Sequence, residues 1–390
     1  MIVGGGIVGV AAAFFLAERG ERDVLVLERD RLGSGTTQGG LGGIRHQFVD
    51  ELDVRLSQLA TAFWRSFEQE TGARHDFQER GYLFIASTAE GARELREPLA
   101  LYERLRVPVR MVDRVEIAEL VPSMRVDDLA GGRFCPRDGY GDPLGALAGL
   151  AAAARLGRVA FGEGVAVTSL VRDGDRVTGV RTASGDVAAR RVLVAAGCWT
   201  STLCASASVA VPIWPYRRSI MESGPLPRLA NIPMTIEWES GFHFRPKGNA
   251  QRFAMPNLTA DGAMEKGPTG PPPAFPGEFA PLAVPPALEP WVRARAAWRH
   301  PAFADLRIVD SWSCYYEMTP DDHPVVGAAP GVAGLYLAAG FSGHGFMHAP
   351  AIGQLVVEEM LDGKARTLDI ADLSLERFQT GRRPFKATVL

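Results

Sequence analysis

The opening stretch, Met1 to Asp30, constrains the fold more than any other part of the chain. Ile2-Val3 is a short apolar strand, and Gly4, Gly6 and Gly9 follow it in the spacing G-x-G-x-x-G. Ile7 to Arg19 reads as an Ala- and Leu-rich helix stopped by Gly20, and Val24 to Leu27 as a second apolar strand ending at Glu28. Strand, helix, strand and acid together make a βαβ unit with the dinucleotide fingerprint in its working context. The first glycine permits the tight turn, the second lets backbone approach a pyrophosphate, and the third lets helix and strand pack closely. The helix N-terminus then offers free N–H groups and a positive dipole end to the phosphates. Glu28 is placed to accept hydrogen bonds from a ribose diol. The plain alternative, a glycine-rich turn in some other α/β protein, leaves Glu28 unexplained.

With 390 residues, the chain has room for two domains, each with its own core. A net charge of −3 gives no basic surface for nucleic acid or an anionic membrane. The four cysteines (Cys135, Cys198, Cys204 and Cys314) are scattered without CxxC or His spacing. That pattern argues against a metal site or a disulfide framework and suits a reducing compartment. No run approaches the roughly 20 apolar residues that span a bilayer, and the expected location is cytoplasmic. The first strand has only Met1 to Val3 before its turn, so the natural start is expected a few residues upstream.

After Glu28 comes a loop dense in Gly, Ser and Thr (GSGTTQGGLGGIRHQF), which suggests backbone lying close to a ligand. A long helix opens at Asp50, with Leu52, Leu56, Leu59, Phe63 and Phe67 on one apolar face, and ends at Gly72. Gly81 to Ser87 reads as a strand, Ala89 to Leu105 as a helix and Val115 to Val121 as a short helical turn. Pro143 opens a helix through Leu156. A β-meander follows at Val165 to Arg172, Val177 to Thr182 and Val187 to Ala195, turning at Asp173-Gly174-Asp175 and Ser184-Gly185-Asp186. Alternating strands return from Val211 to Pro256. Residues 256–290 form a Pro/Gly-rich loop that the sequence leaves open as a mobile segment or a lid. Trp291 to Arg299 reads as a helix, Ile308 to Tyr316 and Leu335 to Ala339 as strands, and Ala349 to Leu361 as the last helix.

Two glycine-rich strand-to-helix turns thus bracket the chain, at Gly4–Gly9 and at Gly340–Gly345. In a doubly wound sheet, ligands sit at the carboxyl ends of such strands. The second turn can aim N–H groups and a helix dipole at an electron-rich ring edge, as a reduced flavin requires. With a single full nucleotide fingerprint, a bound FAD fits better than NAD.

At this point the chain resembles the glycine oxidase, sarcosine oxidase and D-amino-acid oxidase superfamily of FAD-dependent amine oxidoreductases. The carriers are the IVGGGIVG start, Glu28, the SGTTQGGLGGIRHQF loop, the LVAAGCW strand, the EMTPDDHPVVG segment and the GFSGHGFMHAPAIG turn. The nearest likeness is to the sarcosine oxidase β-subunit and the β-type proline dehydrogenases. The resemblance implies an α/β fold: a Rossmann-like FAD-binding domain with a parallel sheet and a β-meander, interleaved with an α+β substrate domain on a mostly antiparallel sheet. The expected boundaries are 1–80, 140–205 and 317–390 for the FAD domain, and 81–139 with 206–316 for the substrate domain. Implied FAD contacts are Gly4, Gly6, Ile7, Val8, Gly9, Glu28, Arg29, Thr36, Thr37, Gly42 and Gly43 from the first part of the chain. Val165, Ala196, Gly197 and Trp199 add to these, with Gly340, Ser342, Gly343, His344, Gly345, Phe346 and Met347 from the closing turn.

The resemblance also implies catalytic roles. Arg45 matches the arginine that binds a substrate carboxylate, and its planar fork suits that partner. His344, inside GFSGHG, is expected at the flavin edge or the substrate. Tyr316 and His243 are expected in the pocket, and His46 as a flavin-side or structural histidine. Met347 stands where monomeric sarcosine oxidases carry a lysine, which leaves the carboxylate grip to Arg45 and suits a larger side chain or ring. Cys314 aligns with their flavin-anchoring cysteine and is the covalent candidate. A lone cysteine at a strand end is more often buried packing, so noncovalent FAD is expected. Arg252 is the nearest stand-in for their oxygen-activating lysine, which leaves oxidase and dehydrogenase open. The expected reaction is hydride removal from a carbon bearing an amine, in a sarcosine-, glycine- or proline-like substrate. A 2-hydroxy acid dehydrogenase and a non-catalytic flavoprotein assembly factor or subunit are the alternatives. Expected partners are the small-molecule substrate and either a partner subunit or an electron-acceptor protein.

Overall fold

The computed structural model describes residues 1–256, 283–382 and 385. Its first large sheet has six strands in the order Val325–Ala328, Leu335–Ala339, Val192–Val194, Ile2–Val3, Leu25–Leu27 and Ala160–Gly162. All neighbours are parallel except the Val325–Ala328 edge, which runs antiparallel. These strands are short apolar runs because helices cover the sheet. Four helices matter for the site: α1 (Ile7–Glu18), α2 (Glu51–Arg65), α3 (Pro143–Leu156) and α4 (Gly345–Asp362).

Small residues set how closely these helices approach. A Cβ on Gly353 of α4 would lie 2.8 Å from the Ala11 carbonyl carbon of α1. At the end of α3, a Cβ on Gly157 would lie 2.4 Å from Cβ of Ala17. Contact that close buries α1 on every side, which is why it reads as apolar all round rather than amphipathic.

The second large sheet has eight strands. Its order is Ile308–Met318, Trp214–Ser223, Ala250–Pro256, His243–Lys247, Met234–Glu237, Tyr82–Ala86, Gly131–Cys135 and Arg110–Val112. Every pairing is antiparallel except that of Met234–Glu237 with Tyr82–Ala86. Phe242, Phe244, Phe253 and Phe303 form the core beneath it, with the helix Leu288–Arg299. Glu237 is fully buried there between Arg295 and Arg299, both at 2.6 Å. The strands Val167–Asp173, Arg176–Thr182 and Gly185–Ala188 make a separate antiparallel meander.

The structure corrects several sequence expectations. The helix expected over 89–105 is two, Ala89–Arg96 and Leu99–Arg104, separated at Pro98, which cannot supply the N–H a continuous helix needs. The stretch 187–195 also divides, its first half staying in the meander and Val192–Val194 joining the parallel sheet. The final helix starts at Gly345 rather than Ala349, and it carries Pro350 in its first turns. Strands Gly131–Cys135 and Arg110–Val112 were not expected: two glycines and a buried arginine hide the first, and the second is only three residues long. Most of the 256–290 loop lies outside the described residues, and its end, from Leu288, is helical. Along α2 the buried face is Val54, Leu56, Ala60 and Trp64 together with Asp53, Ser57 and Thr61, while Leu52, Leu59 and Phe63 are half-buried. Among the described residues, no helix is long and apolar enough to cross a membrane.

Candidate active site

A single cavity joins the two glycine-rich turns. It holds about 1740 Å³ of empty space, counted out to its open mouth. At one end the wall is Gly4, Gly6, Ile7, Val8, Glu28, Arg29, Thr36 and Thr37. Gly4 takes φ +108°, and a Cβ there would meet the Ala195 carbonyl oxygen at 2.2 Å, so the turn requires glycine. Thr37 Oγ1 accepts the Ile7 N–H at 3.0 Å, tying the glycine-rich loop to the start of α1. The Glu28 carboxylate accepts N–H bonds from Gly5 (2.7 Å) and Asp30 (3.0 Å). A carboxylate has about four acceptor positions, so Glu28 is oriented with capacity left for a diol. Arg29 lies 3.9 Å over the Trp199 ring, and Val165, Ala196 and Gly197 complete this side.

The other end is built by the closing turn. Ser342 and Gly343 take φ +48° and +93°, and a Cβ on Gly343 would lie 2.4 Å from the Tyr316 ring. The turn thereby seats against Tyr316 and delivers His344 as the cap of α4, whose first residues Gly345, Phe346 and Met347 line the cavity. A nucleotide fits these walls: backbone N–H groups at the start of α1, an oriented acid beside them, and a second helix N-terminus across the cavity.

Arg45 enters on the short strand Gly43–Ile44 and the chain that follows it. It is 8% exposed, donates to the Gln47 carbonyl at 3.3 Å and lies 4.3 Å over the Phe48 ring. Its Nη2 is 3.2 Å from His344 Nε2. A guanidinium only donates, so His344 accepts at Nε2 and carries its proton on Nδ1. Burial, reinforced by Arg45, holds the His344 pKa well below its usual value and keeps the ring neutral. Among the described residues, the Arg45 guanidinium meets the Gln47 carbonyl and His344 and no carboxylate. Arg245 anchors the loop beneath it by donating to the carbonyls of Leu41 (2.5 Å) and Gly141 (3.4 Å).

His243 faces the same cavity from the eight-stranded sheet. Its Nδ1 donates to the Gly241 carbonyl at 2.8 Å, so Nε2 is left as an acceptor. Burial lowers its pKa to about 4, and the ring is neutral at ordinary pH. Tyr82, Leu41, Met234, Ile236, Glu317 and Phe341 also line the cavity and were not expected there. Strand periodicity was the missed signal for one pair: Ile236 lies opposite His243, and Met234 is two residues before it on the same face. Glu317 is half-buried in the cavity wall, and desolvation there raises its pKa to about 7 against the lowering effect of N–H bonds from Gly340 and Phe341.

Five expected residues, Gly9, Gly340, Cys314, His46 and Arg252, fall outside the cavity wall. Gly9 serves packing, since a Cβ there would meet the Gly4 carbonyl at 2.1 Å. Gly340 donates its N–H to Glu317 Oε2 at 3.0 Å. Cys314 is buried with Sγ 3.4 Å from the Gly39 carbonyl, and burial pushes its thiol up to about 12. His46 takes the structural role, with Nδ1 2.6 Å from the buried Asp138 carboxylate. Arg252 is paired with Glu222 at 2.8 Å.

A family model described as FAD dependent oxidoreductase matches residues 1–359. The chain belongs to this FAD-dependent oxidoreductase family. It is 30% identical to the 4-methylaminobutanoate oxidase (formaldehyde-forming) of Paenarthrobacter nicotinovorans, over 99% of this chain and 47% of that protein. It therefore spans about half the length of that relative. It is 28% identical to the glycine oxidase of Geobacillus kaustophilus, over 96% of both chains. The crystal structure of L-proline dehydrogenase from P. horikoshii superposes with a TM-score of 0.88 at 29% identity, covering 97% of each chain. The cofactor of this family is FAD, and the α/β architecture with mixed sheets is the one these relatives share.

Proposed function

We propose that this protein oxidises the C–N bond of a secondary amine or amino acid that carries a carboxylate. FAD, when bound, supplies the acceptor for the hydride and the two electrons it carries. The observation that carries the reading is Arg45: a buried guanidinium in the cavity wall, beside a neutral histidine and with no carboxylate partner among the described residues. An uncompensated buried charge costs several kcal/mol, and an anionic substrate offsets that cost. His243 offers a neutral acceptor to the substrate amine, and Tyr82, Tyr316, Met234, Ile236 and Met347 give the rest of the wall an apolar and aromatic character. That wall suits an N-methyl or cyclic amine more than a small polar group.

In this reading residues 1–80, 140–205 and 317–390 form the FAD-binding unit, and 81–139 with 206–316 form the substrate unit. FAD is held noncovalently and the protein works in the cytoplasm. Electrons leave to O2 or to an acceptor protein. The test is an anaerobic panel read by flavin absorbance near its visible maximum. Sarcosine, L-proline, glycine and 4-(methylamino)butanoate are set against lactate and 2-hydroxyglutarate. Bleaching by an amine supports the proposal; bleaching by the hydroxy acids alone replaces it with the alcohol-oxidising reading. Full inertness together with a co-purifying partner replaces it with the non-catalytic one.

A further inference from the structure

Between α2 and α4 the buried interface contains a line of polar side chains where packing alone would place apolar ones. On α2, Asp53, Ser57 and Thr61 recur every fourth residue on one face and are 5%, 2% and 1% exposed. Opposite them on α4 stands His348, fully buried, one turn beyond His344. Ser57 Oγ lies 2.9 Å from His348 Nε2. His348 Nδ1 and Thr61 Oγ1 have no hydrogen-bond partner. Each such orphan is costly unless something satisfies it, and buried water is the usual means in a polar interior.

The line has a functional end and a solvent end. His344 and His348 have ring centres 6.1 Å apart, and Phe48 packs against both at 4.8 and 5.2 Å, closing that side to bulk water. At the far end Asp53 meets His323 Nε2 at 2.7 Å, and Asp50, whose side chain is 18% exposed, lies 3.6 Å from the same nitrogen. Three of the chain's seven histidines thus fall on one file from the cavity to the surface.

We propose that His344, His348, Ser57, Asp53 and His323, joined by buried water, form a path that carries a proton between the active-site cavity and solvent. The proposal rests on the amine-oxidising reading above. A bound secondary ammonium must lose a proton before its carbon can give up hydride. The substrate carboxylate draws the Arg45 guanidinium off Nε2 of His344; the N–H bond then breaks, its electron pair stays on nitrogen as the lone pair, and the proton goes to that freed Nε2. His344 releases its Nδ1 proton along the file to His348, and a proton leaves to water from the Asp53–His323 pair. No electrons move along the file.

The charges that face His348 fit a relay rather than a trap. Burial, with Arg45, His323 and His46 adding to it against the opposing pull of Asp53, lowers its pKa to about 4. It therefore holds a proton only in transit. His323 at the exit is raised instead, because the hydrogen bond and charge of Asp53, with Asp50 behind it, outweigh burial.

The test uses the FAD-loaded enzyme and whichever of sarcosine, L-proline or 4-(methylamino)butanoate bleaches it. Flavin absorbance and a pH-indicator dye are followed together in anaerobic stopped flow, for the wild type, Ser57→Ala and Ser57→Thr. In the wild type, proton release keeps pace with bleaching. Ser57→Ala is expected to slow proton release by about tenfold or more and to raise the solvent isotope effect, with FAD content and melting temperature unchanged; Ser57→Thr restores the wild-type behaviour. Proton release that stays synchronous in Ser57→Ala overturns the proposal. If no amine bleaches the wild type, the functional reading has failed, and the file is judged alone by a high-resolution crystal structure. Ordered water on His348 Nδ1 continuing toward His344 supports it, and a dry interface there overturns it.

Discussion

The placement of FAD can be tested by separating what two neighbouring glycines do. Gly6 has φ −74° and ψ 175°, which any L-residue adopts, and the nearest atom to an added Cβ is Thr37 Oγ1 at 3.4 Å, an ordinary contact. Gly4, two residues earlier, has φ +108° and an added Cβ 2.2 Å from a backbone carbonyl oxygen. Gly6→Ala should therefore leave the apoprotein nearly unchanged: an alanine at a helix cap costs somewhat under about 1 kcal/mol against glycine, and the reduced freedom of the unfolded chain returns about 0.4–1 kcal/mol. Gly4→Ala should abolish folding. For FAD the order of importance differs, because the methyl added by Gly6→Ala stands in the cavity wall beside the first N–H groups of α1. Displacing a phosphate enough to lose one charge-assisted hydrogen bond costs about 1.5–3 kcal/mol, so the Kd for FAD should rise roughly 10- to 150-fold. Thermal melts of the apoprotein and quenching of FAD fluorescence on titration read the two quantities separately. An apo-stable Gly6→Ala protein that binds FAD as tightly as wild type would refute the placement of the pyrophosphate at α1. A Gly4→Ala protein that folds normally would refute the close-approach argument.

Removing Arg45 from the substrate wall should separate stability from function. Arg45→Met is expected to raise the melting temperature of the apoprotein, since it removes a buried charge, while KM for a carboxylate substrate rises by two orders of magnitude or so. Urea unfolding and steady-state kinetics measure these, and an unchanged KM would count against Arg45 as the carboxylate ligand. Acid should unfold the protein through its neutral histidines. Burial lowers His75, His243 and His348 to about 4 from 6.5, so the unfolded chain takes up their protons first. The stability they hold is fully present above pH 6.5 and is lost as pH falls through about 4, on the order of 2–3 kcal/mol for each. His323 opposes this trend: its raised pKa contributes stability below pH 6.5 that fades as pH rises through its folded value. Denaturant midpoints from pH 8 to pH 4 should accordingly fall, and a His323→Gln variant should fall more steeply; a flat profile contradicts the burial argument. Finally, acid precipitation should release free yellow FAD, because the Cys314 thiol is buried against Gly39 and held protonated. Colour retained in the pellet would instead indicate a thioether.

Much of the fold was legible because its signals are local. Gly4, Gly6 and Gly9 name their own turn, and α1, α3 and the strand Leu335–Ala339 fall where spacing and capping residues put them. The failures at Gly131–Cys135 and Val192–Val194 share one cause, which is tertiary contact overriding a local pattern. Gly131–Cys135 carries two glycines and an arginine, yet it is a fully buried strand. A Cβ on Gly132 would meet the Phe84 carbonyl at 2.7 Å, and Arg133 is held by Gln47 at 3.0 Å. Val192–Val194 cannot be separated from the meander by its residues. It leaves only because Ile2–Val3 and Leu335–Ala339 offer it parallel partners more than a hundred residues away on either side.

The site divides along the same line. Most cavity residues drawn from the sequence do line the cavity, because a glycine-rich loop and a strand end must lie near whatever the sheet binds. What no stretch of sequence contains is the state of each group once folded. His243 and His344 look alike as letters, yet one has its tautomer set by the Gly241 carbonyl and the other by the Arg45 guanidinium. Arg45 is informative for what it does not meet, and that property exists only after three distant segments close around it. The polar face of α2 makes the same point more sharply. Read alone, Asp53, Ser57 and Thr61 are ordinary solvated positions between leucines. Once His348 and His323 arrive from segments nearly three hundred residues away, those positions become buried groups that need partners. Packing alone would favour alanine or leucine at these positions, so Asp53 and Ser57 owe their place to the histidines they meet rather than to the helix face that carries them.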